Sequence, residues 1–240
     1  MSEWRKEAFI HASKVILKND VKRVLELGCD DAGISRELAK VFPNVLFDGI
    51  DVRVQKVSDA VRIALEENLG NTNFQNGYFM NIKNKKNTYD LIIFTEVYEH
   101  LIAENQILAL RKIGTLLKDK GFLIMTCPNG EYFLSELENR KTFEDRYEKD
   151  FFDNLLQTEH WLEPSYGELS KILVSLGYEL FLHDFFNLPK RKIKLIHLVE
   201  KLLNKISFVR QKIFKSQIVI ARKNGASPLL TKFHIFDDLQ

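Results

Sequence analysis

Short aliphatic runs that stop at a glycine or a lone acid alternate along this chain with longer stretches whose apolar residues recur at helical spacing. No other feature limits the fold as tightly. Residues 21–28 (VKRVLELG), 45–51 (VLFDGID), 89–96 (YDLIIFTE) and 121–127 (GFLIMTC) are rich in β-branched and aliphatic side chains, as strands buried on both faces are. Residues 71–77 (NTNFQNG) form a more polar strand between them. Glu3 to Lys18, Gly33 to Val41, Gln55 to Asn68 and Ile102 to Leu117 carry the helical period, punctuated by Asn19-Asp20, Pro43 and Gly70. Strands and helices in strict alternation predict an α/β fold with a doubly wound, parallel sheet.

The rhythm breaks after Pro128. Residues 129–164 are polar, aromatic and irregular, and an excursion of that length inside a domain is expected to be a lid or a binding element. Order returns with a helix over 165–177 (SYGELSKILVSLG), a strand over 178–186 and a last strand over 215–223 (KSQIVIARK). A single domain over residues 1–240 is expected, with its core in 20–128 and 165–222 and a basic helical insert at 188–215.

That insert holds most of the charge asymmetry. Between Leu188 and Lys215 there are nine Lys and Arg residues against Glu200 alone, which leaves 26 basic and 32 acidic groups elsewhere. Leu195, Leu198, Val199, Leu202, Leu203, Ile206, Val209 and Ile213 give it an apolar stripe. Three readings stay open: contact with an anionic membrane surface, a grip on phosphates of a nucleic acid or nucleotide sugar, or a lid helix with solvated lysines. No apolar run reaches the roughly 20 residues that cross a bilayer. The N-terminal residues lack the pattern of a secretory leader, and Cys29 and Cys127 are too few for a disulfide framework. A cytoplasmic protein, at most peripheral to a membrane, is the expectation.

In doubly wound sheets, ligands lie beyond the carboxyl ends of the strands. Asp51 ends its strand 23 residues after Gly28, close to the offset at which a carboxylate meets ribose hydroxyls. Glu96, Glu99 and His100 stand at i, i+3 and i+4 just past the fourth strand. On a helix they would share one face, where carboxylates and an imidazole serve as a general base or bind a divalent metal.

Taken in order, VLELGCDDAG at 24–33, GID at 49–51, YDLIIFTEVYEHL at 89–101, GELSKILVSLGYEL at 167–180 and SQIVIARK at 216–223 resemble the motifs of class I S-adenosylmethionine-dependent methyltransferases. The resemblance implies a Rossmann-like, seven-stranded, mostly parallel sheet with an antiparallel last strand. It implies S-adenosylmethionine as cofactor, held by Glu26, Gly28 and Cys29, by Asp51 and Val52, by Gly77 and Tyr78, and by Thr95. Two departures stand out. The first motif normally carries three alternating glycines, and here Asp30 and Ala32 replace two of them, with Gly33 one position late to restore flexibility. After Gly77 an acid is usual, and here Tyr78 stands in its place.

Three functions follow from these residues. The first is O-methylation of a small-molecule, sugar or lipid-linked glycan acceptor, with His100 taking the hydroxyl proton and Glu99 or Glu96 orienting it. The second rests on a partial resemblance to RNA 3′-end 2′-O-methyltransferases that bind a divalent cation. It would assign Glu96, Glu99, His100 and His160 to a metal and make RNA the partner. The third is a cofactor-free scaffold with a methyltransferase fold.

Overall fold

The computed structural model describes residues 2–83, 85–132, 163–186 and 214–224. Most of the 129–164 excursion, with His160, and nearly all of the 188–215 segment lie outside them.

The elements run α1 (Glu3–Lys18), β1 (Arg23–Leu27), α2 (Gly33–Val41), β2 (Leu46–Asp51), α3 (Val54–Glu66), β3 (Thr72–Asn76), β4 (Tyr89–Thr95), α4 (Ala103–Leu116), β5 (Leu117–Pro128), α5 (Tyr166–Ser175), β6 (Tyr178–Phe186) and β7 (Ser216–Lys223). The strands form one sheet of seven in the order β3-β2-β1-β4-β5-β7-β6. β1 to β5 pair in parallel, and β7 runs antiparallel to both of its neighbours. The mostly parallel architecture expected from the strand-helix rhythm is therefore present.

The pleat sorts the aliphatic runs onto two faces. Val24, Leu91, Ile93, Ile124, Ile218 and Ile220 meet α1 and α2 through Ala8, Ala12, Ile34 and Leu38. Their chain neighbours Leu25, Ile92, Phe94, Leu123, Met125 and Val219 point the other way, onto Ala109, Leu110 and Ile113 of α4 and Leu169 and Leu173 of α5. Each run is apolar throughout because both of its faces are covered.

Two boundaries differ from expectation. Leu117, expected to end a helix, starts β5, and the strand runs to Pro128. Lys120 turns with φ 65°, and Gly121 fits where a Cβ would stand 2.9 Å from the Lys118 carbonyl. A tight kink thus joins two pieces that read separately in the sequence.

The carboxyl edge of the sheet is tied together near β5 and β7. The Gln217 amide donates to the carbonyls of Pro128 (3.1 Å) and Pro164 (2.7 Å). Asn129 donates to the Phe214 carbonyl at 2.8 Å. His183 meets Gln217 Oε1 and Ser170 Oγ, each at 2.8 Å. Because that Gln217 oxygen only accepts, His183 Nε2 carries the proton. Among the described residues, no helix is long and apolar enough to cross a membrane.

Candidate functional site

The turn from β1 to α2 keeps a glycine-like backbone without the glycines. Gly28, Asp30 and Ala32 have φ of 69°, 53° and 55°, all left-handed, a region that costs an L-residue roughly 1–2 kcal/mol. Gly33 does not take over that role: it is the first residue of α2 and its φ is not positive. The torsions follow the motif positions and not the side chains that fill them. Gly28 is needed for a second reason. A Cβ there would stand 2.3 Å from Val97 Cγ2, which packs across from the end of β4.

Glu26 is 2% exposed at the end of β1. Its Oε2 accepts from the Ser35 hydroxyl (2.6 Å) and amide (3.1 Å), fixing the first turn of α2. Burial pushes its carboxyl up to about 7, against the downward pull of the Ser35 bonds. Cys29 contributes backbone only: its amide donates to the Ile50 carbonyl, while its buried thiol packs with Phe74 and α3 and is driven upward in pKa by burial.

Asp51 is 4% exposed at the end of β2. Its Oδ2 accepts the Asp30 amide at 2.9 Å, and its Oδ1 accepts the Arg53 amide at 2.8 Å. The Arg53 guanidinium adds longer contacts of 3.2 and 3.4 Å. Burial opposes ionisation, but these donors outweigh it and hold the carboxyl below its usual range. Asn76 braces the same corner by donating to the carbonyls of Asp51 and Val52, both at 3.0 Å. Val52 is exposed, Gly77 and Tyr78 are half-buried, and Thr95 is buried. The Tyr78 ring meets Phe79 edge-on at 5.4 Å.

Beyond β4 the sequence expectation needs correction. Glu96, Glu99 and His100 do not share the face of an α-helix: Glu96 is left-handed at φ 53°, and Tyr98–His100 is a single 3-10 turn before α4. Glu96 lies outside that turn, so the i, i+3, i+4 alignment of an α-helix does not apply to the three. Glu99 turns inward and is 1% exposed, whereas His100 is exposed. Glu96 is fixed by the Thr126 hydroxyl, which donates to its Oε1 at 2.9 Å. Among the described residues, neither carboxyl oxygen of Glu99 has a hydrogen-bond partner. Burial, then the nearby Glu96, raises its pKa well above the usual carboxylate value. Among the described residues, no three His, Cys, Asp or Glu side chains are grouped to hold a metal ion.

Sequence reasoning missed Arg5, Arg53, Ser35 and Asn76. Ser35 was within reach, as a polar residue in the first turn of a helix next to a strand-end acid. Arg5 gave no local signal.

Three neighbouring strands, β2, β1 and β4, thus end at Asp51, at the left-handed turn and, five residues before His100, at Thr95. The donor set suits a nucleoside: a carboxylate for vicinal hydroxyls, and a turn with no side chain beyond Cβ at Gly28 or Ala32. No curated protein matches the sequence. A family described as "Methyltransferase domain" matches residues 1–180. Solved structures similar over most of the chain include the YcgJ protein of Bacillus subtilis (17% identity, TM-score 0.64, covering 92% of this chain and 100% of that one). A SAM-dependent methyltransferase of Archaeoglobus fulgidus is similar at 16% identity and TM-score 0.61, covering 91% and 94%. The cyclase SpnF is similar at 17% identity and TM-score 0.62, covering 94% and 84%. At these identities the structures share the fold, and the matched family carries the assignment. The chain belongs to the methyltransferase domain family, of the class that takes its methyl group from S-adenosylmethionine.

Proposed function

We propose that this protein methylates a hydroxyl group on a small-molecule, sugar or lipid-linked glycan acceptor. The observation that carries this reading is the exposed imidazole of His100, set at the end of β4, next in the sheet to β1 and its turn. When bound, S-adenosylmethionine supplies an electrophilic methyl group on a sulfonium.

Each residue then has a task. Asp51 receives the ribose hydroxyls, which compete with the longer guanidinium contacts of Arg53 at 3.2 and 3.4 Å and leave the two backbone amides in place. The turn at Gly28–Ala32 bears on the methionine part, and Tyr78 offers a ring face to the adenine. His100 accepts the hydroxyl proton as the acceptor oxygen gains its methyl group, the general-base role that an imidazole can fill. Glu99, buried beneath the turn, acts on its placement. Glu96, bonded to Thr126, holds the start of it.

His100→Ala is expected to lower turnover at saturating cofactor by about 100-fold or more. The affinity for S-adenosylhomocysteine, measured by calorimetry, should change less than about threefold. Retained turnover with lost cofactor affinity would remove His100 from the chemistry. SpnF, a cyclase with this fold, shows that the fold by itself leaves the reaction open.

A further inference from the structure

Asp30 is left-handed where glycine would be at ease, and its side chain is surrounded by cations. Arg5 of α1 donates Nη2 to Asp30 Oδ2 at 3.1 Å and reaches Asp31 Oδ1, also at 3.1 Å. Lys56 Nζ lies 3.1 Å and Arg53 Nη2 3.6 Å from Asp30 Oδ1. Asp31 in turn accepts the Gly33 amide at 3.1 Å. The Arg5 and Asp30 side chains are 20% and 25% exposed, so water screens them only in part.

Lys56 comes from α3 and Arg53 from the residue that precedes it, beside the turn. Arg5 comes from 25 residues upstream, on a helix that is docked independently through Ala8, Ala12, Val15 and Ile16. The same Asp30 whose side chain is clamped donates its amide to Asp51. Moving Asp30 would therefore disturb both the turn and the ribose carboxylate. We infer that Arg5 is a positioning residue for the cofactor site: it clamps Asp30 and Asp31 from α1 and offsets the strain of a left-handed turn that has lost its glycine. A chain with glycine at position 30 would not need it. This rests on the turn being the cofactor cradle, as proposed above.

The test pairs Arg5→Met, which keeps the aliphatic stem, with Asp30→Gly, and measures S-adenosylhomocysteine affinity by calorimetry. Arg5→Met alone should weaken binding by about two- to fivefold, the scale of partly exposed ion pairs. In the Asp30→Gly background the same change should weaken it by less than about twofold, because glycine takes the left-handed torsion freely. A purely structural role for Arg5 would cost the same in both backgrounds, and that result would overturn the inference, as would wild-type affinity in Arg5→Met. If Arg5→Met does not fold, salt decides. Raising NaCl from about 0.05 to about 1 M should weaken binding more in the unmodified protein than in Asp30→Gly, and an equal response overturns the clamp. If the unmodified protein binds no S-adenosylhomocysteine, the cofactor reading fails separately. Amide hydrogen exchange over residues 29–33 of the ligand-free protein then tests the clamp: faster exchange in Arg5→Met supports it, and unchanged exchange rejects it.

Discussion

At the scale of single residues, the site depends on buried acids that are not all in the same charge state. Asp51 is ionised and held by donors, whereas Glu26 and Glu99 are pushed toward neutrality by burial. For Glu26 the folded-state pKa of about 7 lies above its ordinary 4.5. Its contribution to stability is therefore complete below about pH 4.5 and is lost as pH rises through about 7. In chemical denaturation across that window, the unmodified protein should lose up to about 3 kcal/mol relative to Glu26→Gln. An unchanging difference between the two would mean that Glu26 is already ionised in the fold. Gly28 offers a second prediction, from sterics. Gly28→Ala places a methyl group against Val97 in a left-handed backbone, with an expected loss of about 2–4 kcal/mol in thermal unfolding. Val97→Ala added to it should recover part of that loss, since it removes the clash and leaves the torsional cost.

At the scale of elements, stability depends on how each helix begins and on what each strand end is tied to. α5 opens with a capping box. The Ser165 hydroxyl accepts the Glu168 amide at 3.3 Å, and the Glu168 carboxylate accepts the Ser165 amide at 2.9 Å. Ser165→Ala should cost about 1 kcal/mol in denaturant titration, with cofactor affinity unchanged because α5 lies under β6 and not at the turn. α2 begins differently. Its N-cap, Ala32, has no side chain to cap with, and the buried Glu26 carboxylate serves the Ser35 amide instead. The end of β1 thus doubles as the helix cap, so changes at Glu26 are felt by both elements. The turn after β4 shows why local pattern misled. The spacing of Glu96, Glu99 and His100 fits an α-helix, but the chain must leave β4 through a left-handed Glu96 and a 3-10 turn before α4 can start.

At the scale of the whole molecule, the sheet order brings β1, β4 and β5 side by side with their carboxyl ends together. The ends of β5 and α5's lead-in are stitched there by Gln217 and Asn129. A ligand that binds the folded edge and not the unfolded chain stabilises the whole domain. S-adenosylhomocysteine at about 100 times its Kd should add about 2.7 kcal/mol, or a rise of about 5–10 °C in Tm for a domain of this size. No shift in scanning calorimetry would favour the cofactor-free scaffold over the enzyme.

The order and type of the elements were legible in the sequence because a strand buried on both faces must be apolar throughout, and a covering helix must show its period. α1 and α2 fall where the pattern put them, and so does Asp51 at a strand end. The change from helix to strand at Leu117 was not legible, because Leu117 continues the apolar period of α4. The state of the acids was not legible either. Glu26, Asp51 and Glu99 look alike in one dimension, and their charges are set by how burial balances against the donors the fold brings within about 3 Å. Arg5 is the furthest case. Its partners lie 25 and 26 positions away, and ion pairing depends on separation in space, which a string of residues does not contain.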